Sequence, residues 1–90
     1  MELEVYDLVA LMEPIGGVHK GTGEPIGLRR GQVGTVLMVF GGEACLVDFV
    51  DECGVTYAME TVEIDRLLRL VYGPVLLGVG SGSGSKITSS

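Results

Sequence analysis

Between residues 43 and 65 the sequence carries seven carboxylates, Glu43, Asp48, Asp51, Glu52, Glu60, Glu63 and Asp65, and no lysine or arginine. Acids so concentrated can hold a cation, run acid–base chemistry or meet a basic partner. A calcium loop needs oxygens at alternating positions over about a dozen residues, and Asp51-Glu52-Cys53-Gly54 is too short for that. Glycoside chemistry needs two carboxylates across a cleft, which a very small β domain seldom has. That leaves solvated strand faces and a surface for a basic protein.

Nucleophiles are few. Cys45 and Cys53 form no CxxC pair, and His19 is the lone histidine, so the ligands for a closed zinc site are missing. Cys45 alternates in phase with Val47 and Phe49 and so belongs to the core; Cys53 falls in a turn. A catalytic thiol needs a base within hydrogen-bond reach, and nothing in the pattern ties His19 to either cysteine. Gly21-Thr22-Gly23 beside Lys20 has the composition of a phosphate loop, but no helix follows to aim backbone N–H groups at an anion. The expectation is a chain without catalytic, cofactor-binding or metal-binding residues, and not an enzyme.

The chain has 90 residues and a formal net charge of -6; 47% of its residues are hydrophobic. That is apolar enough to fold as one small domain and not to persist as an acidic tail. No apolar run reaches the roughly 18–20 residues of a membrane span. The start, Met1-Glu2-Leu3-Glu4, lacks the basic residues of a signal peptide, which points to a cytoplasmic protein that binds no membrane. Two cysteines are too few for a disulfide scaffold. The negative charge repels polyanions, so nucleic acid is not an expected partner.

These side chains must be positioned by short strands. Residues 5–11 suit a first strand. Residues 12–28 carry Pro14, Gly16, Gly17, Gly21, Gly23, Pro25 and Gly27 and read as a long irregular loop. Residues 33–40 form a second strand, and Gly41-Gly42 turns the chain, because the favoured hairpin turns need positive φ. Residues 44–50 are a third strand; Asp51-Glu52-Cys53-Gly54 closes a second hairpin with Gly54 left-handed. Residues 55–60 are a fourth strand, 61–65 a turn and 67–72 a fifth. Five short strands with tight hairpins fit an all-β, strongly bent small barrel. The domain is expected over residues 1–72, an apolar extension over 73–80, and a Gly/Ser joining segment over 81–90 that lies outside the fold.

Leu28-Arg29-Arg30-Gly31-Gln32-Val33-Gly34-Thr35-Val36, then Val47-Asp48-Phe49-Val50-Asp51-Glu52-Cys53-Gly54 and Thr56-Tyr57-Ala58, follow Asp7-Leu8-Val9-Ala10-Leu11 in fixed order. In this order and spacing the chain resembles, over about residues 6–70, a family of small bacterial proteins known as a domain of unknown function. The resemblance implies a five-stranded SH3-like barrel, a cytoplasmic bacterial protein and no known catalysis. The GxxGTV piece is also similar to KOW-type barrels, which is a likeness of fold. Met38 and Leu46 stand where such relatives carry polar residues, and Val75-Leu76-Leu77-Gly78-Val79 runs past their usual end.

Met38 and Leu46 fall opposite each other across the Gly41-Gly42 turn, and Leu46 is out of phase with Val47 and Phe49, so the pair points away from the core. Met38, Leu46, Asp48, Asp51 and Glu52 are therefore the expected contact residues of a protein-interaction module for a basic partner. An antitoxin-like or immunity-like protein is one form of it. The competing expectation is an accessory SH3-like barrel of an enzyme or ribonucleoprotein assembly. Val75, Leu76, Leu77 and Val79 are too apolar for water and are expected to form a short strand that joins copies into a homo-oligomer.

Overall fold

The computed structural model describes residues 2–77. Among them run seven strands: β1 (Leu8–Leu11), β2 (Ile15–Val18), β3 (Pro25–Leu28), β4 (Val33–Phe40), β5 (Ala44–Val50), β6 (Thr56–Glu63) and β7 (Leu67–Arg69), with a 3₁₀ turn at Ile64–Arg66 before β7. The fold is all-β. An antiparallel sheet holds five strands in the order β6-β5-β4-β1-β7, and β2 pairs with β3 in a second, two-stranded sheet. Strand pairing leaves β6 and β7 as the two edges of the larger sheet, so that sheet does not close on itself.

The two long hairpins follow from their glycines. Gly41 and Gly42 take φ of 61° and 78°, and the Glu43 N–H donates to the Phe40 carbonyl at 3.1 Å. Both central residues lie in the left-handed region that L side chains avoid. Gly54 (φ 82°) donates to the Asp51 carbonyl at 2.9 Å. Between these turns β5 alternates inward Cys45, Val47 and Phe49 with outward Ala44, Leu46 and Asp48. Phe49 is fully buried at the centre of the core, beside Val9, Val36, Ala58 and Leu67, with Tyr57 tilted against it at 6.5 Å between ring centroids.

Four expectations need correction. Residues 12–28 are not an irregular loop: they form β2 and β3, registered Ile15↔Leu28 through Val18↔Pro25. The glycines there serve a two-stranded ribbon whose turn is held by its own groups. His19 N–H donates to the Glu24 carbonyl at 2.8 Å, and the imidazole Nδ1 accepts from Gly21 and Thr22. The first strand begins at Leu8, because Tyr6 is left-handed (φ 77°) and Asp7 closes a turn onto Glu4. The fourth expected strand runs on to Glu63, since Val62 still reaches the core from β6 opposite Cys45. The fifth ends at Arg69, and no strand follows it among the described residues. Among the described residues there are thus seven strands in place of five. Residues 81–90 lie outside the described residues.

The β2–β3 ribbon is docked on the inner side of β6. Glu60, opposite Val47 and therefore on the core side of the sheet, turns its carboxylate to the Val18 N–H at 2.8 Å. The Lys20 N–H donates to the Tyr57 carbonyl at 2.8 Å. A Cβ at Gly17 would come within 2.9 Å of Glu60 Oε2, so glycine there leaves room for the carboxylate. Ile15, Ile26 and Leu28 complete the dock by packing on the core.

Candidate interaction surface

The outer face of the five-stranded sheet can be laid out row by row from the register. Leu68, Ala10 and Val33 form one row. Leu8, Thr35, Asp48 and Met59 form the next. Met38, Leu46 and Thr61 follow, then Phe40, Ala44 and Glu63. Between Val36 and Met38 the register shifts, and Leu37 has no partner on β5. This bulge puts Met38 on the same side as Thr35, where an unbroken ladder would have put Leu37.

The pair expected from the sequence is therefore real. Met38 lies directly opposite Leu46, across a turn of three residues. Met38 is 50% exposed and Leu46 partly exposed. Around them the face stays apolar: Phe40, Val33, Met59 and Leu68 are each more than a third exposed. Sequence reasoning missed these four. For Val33 and Phe40 the signal was in β4, where apolar residues occupy both parities of the strand, the pattern of a strand covered on both sides.

The acids do not share this face as one group. Asp48 is on it, two residues from Leu46, and accepts a hydrogen bond from Thr56 Oγ1 at 2.8 Å. Glu63 is on it at the far end, pairing with Arg66 at 3.2 Å, and Glu43 stands in the adjoining turn. Asp51 serves its own turn: the Oδ1 atom accepts from the Cys53 and Val55 N–H groups at 2.8 and 3.0 Å and braces the hairpin end. Glu52 is exposed in the same turn, and Glu60 holds the ribbon from the other side. Of the five expected contact residues, the sheet brings together Met38, Leu46 and Asp48, while Asp51 and Glu52 lie beyond the end of β5.

Two shallow clefts flank the 3₁₀ turn. One, about 460 Å³, is lined by Pro14, Ile15, Gly16, Thr61, Val62, Glu63 and Arg66. Arg66 there already faces two carboxylates, Glu63 and, at 3.6 Å, Glu13. The other, about 450 Å³, lies among Gly42, Glu43, Ala44, Glu63, Ile64 and Asp65. Neither is lined by a nucleophile paired with a base. Cys45 is fully buried, and burial pushes its thiol above the ordinary range, away from the thiolate that would react. Among the described residues no cluster of His, Cys, Asp and Glu has the arrangement of a metal site, and no helix is long and apolar enough to cross a membrane.

A family model described as Domain of unknown function (DUF4926) matches residues 5–69, from just before β1 to the last residue of β7. The chain belongs to the DUF4926 family. The match takes in both sheets and the whole outer face, and ends before the apolar extension at 73–80. No curated protein and no solved structure matches the chain. The extension itself is open to solvent: Val75, Leu76 and Leu77 are each at least 64% exposed, and Val79 lies outside the described residues.

Proposed function

We propose that this DUF4926 chain is a non-catalytic interaction module that docks a basic protein on the outer face of its five-stranded sheet. One observation carries the reading: the exposed Met38–Leu46 pair sits at the middle of an apolar sheet face, with the Asp48 carboxylate beside it and Glu63 at the far end. An apolar centre with a charged rim is the usual anatomy of a protein contact. The rim sets the sign of the partner, since opposed charges speed encounter and like charges exclude wrong partners. The net charge of -6 acts in the same direction over longer range.

The element order supports a finer fold reading, an SH3-like barrel. A ribbon follows the first strand, a 3₁₀ turn precedes the last, and β1 joins β4 to β7. In such a module the acidic chain serves by masking a basic surface, as an antitoxin-like or immunity-like protein would. The test is retention of a basic protein on the immobilised chain at physiological salt. Leu46→Lys places a cation at the apolar centre and is expected to weaken retention at least tenfold, the loss typical of a central contact residue. Equal retention by the folded L46K chain sinks the proposal.

A further inference from the structure

We infer that the apolar C-terminal segment of one copy, residues 71–77, lies across the outer sheet face of a second copy, forming a symmetric dimer. The inference uses the same face as the proposed partner but rests on separate observations. The segment has no charged side chain: none occurs between Arg69 and Lys86. Its large apolar residues stand in solvent, with Val71 68%, Tyr72 88%, Val75 77%, Leu76 83% and Leu77 64% exposed. Monomeric proteins rarely leave such a contiguous patch uncovered.

The path of the chain favours a second copy over its own sheet. The Leu70 N–H donates to the Leu8 carbonyl at 2.9 Å, which fixes where the segment departs. Since β7 is antiparallel to β1 and β1 to β4, the segment leaves in the direction of β4, past the start of β1. Its large side chains, each at least 64% exposed, do not lie against the body of their own chain. Pro74 lacks an N–H and interrupts any ladder, so side chains seat it more than backbone pairing does.

Size and charge agree. Five large side chains expose on the order of 100 Å² apiece, so two segments on two faces bury roughly 2,000 Å² in total, within the range of stable interfaces. An uncharged segment brings no like charge to Asp48 or Glu63, whereas two acidic sheets laid face to face would. A two-fold axis satisfies both copies at once.

The test is the solution mass of the full chain at tens of micromolar, by light scattering. Twice 9.5 kDa is expected. The L76E/L77E chain, altered only at exposed positions, is expected at monomer mass with an unchanged circular-dichroism melt, and Met38→Glu on the receiving face is expected to do the same. In a dimer of isotope-labelled and unlabelled copies, Val75 and Leu77 methyls of one are expected to contact the Met38 methyl of the other. A monomeric full chain, a dimer that survives both changes, or methyl contacts confined to one copy overturns the inference. The monomeric L76E/L77E chain, assayed for retention of a basic protein, judges the functional proposal by itself.

Discussion

Gly34 is the position where one added carbon should be felt most. It is buried in β4, opposite Phe49 on β5 and Val9 on β1. Its φ lies outside the left-handed region, so the requirement for glycine is steric and not conformational. A Cβ there would stand 2.4 Å from Val47 Cγ1, 3.0 Å from the Asp48 carbonyl oxygen and 3.1 Å from Phe49 Cδ1. Val47 can rotate, but the carbonyl belongs to the ladder and Phe49 is packed on every side. Gly34→Ala would gain about 0.4–1 kcal/mol from a stiffer unfolded chain. Overpacking a close-packed core costs about 1–3 kcal/mol, and with a backbone atom in the way the upper half applies. The net loss is then roughly 1–2 kcal/mol, or on the order of 5–15 °C in Tm for a domain of this size. Thermal and urea unfolding read this directly. Adding Phe49→Leu should recover part of the loss specific to Gly34→Ala, a coupling that a double-mutant cycle isolates. An unchanged or raised Tm for Gly34→Ala would refute the claim that close approach at this site excludes a side chain.

Gly54→Ala meets no atom within 4 Å but keeps φ at 82°, so it should cost about 1–2 kcal/mol of unfolding free energy from backbone strain alone. Phe49→Ala should cost about 3–5 kcal/mol, and a mutant with the parent's denaturation midpoint would contradict its place in the core. Asp51→Lys removes two hydrogen bonds in the second hairpin turn and should lower stability by about 1 kcal/mol, while Glu52→Lys beside it should leave the urea midpoint alone. At neutral pH a thiol reagent should label Cys53 at once and Cys45 only on unfolding. Because folding raises the Cys45 pKa, its contribution to stability is whole below the ordinary thiol value and is lost as pH climbs from there through the raised folded value; Cys45→Ala should flatten that alkaline decline.

What the residues disclosed and what they hid divide along physical lines. The spans of β4 and β5, the positive φ of Gly41, Gly42 and Gly54, and the inward phase of Cys45 all rest on local rules, period two and glycine geometry, so the sequence suffices for them. The β2–β3 ribbon is held from outside: its Val18 N–H is satisfied by Glu60, 42 residues away, and no local pattern announces such a partner. For the same reason Glu60 read as one more acid of a charged face when it points inward. The Met38–Leu46 pair was legible only in outline: a two-residue turn would set Cys45 opposite Met38, and the observed pairing depends on Glu43 joining the turn and on the bulge at Leu37. Met59 and Leu68 were not legible, because they come from strands whose order only the folded sheet reveals.

The way the ribbon hangs on β6 divides the molecule into two levels of protection. Its polar ties to β6 are one carboxylate and one carbonyl, at Glu60 and Tyr57, whereas β4, β5 and β6 share continuous ladders. Opening the ribbon breaks few polar ties but withdraws Leu28, Ile15 and Ile26 from the core, while the ladders of β4, β5 and β6 stay closed. Backbone amides of residues 15–28 would then exchange with solvent deuterium through opening of the ribbon, ahead of those at the middle of β5, which exchange only through global unfolding. The 19–24 turn is accordingly the place where the chain could change length with least consequence for the sheet.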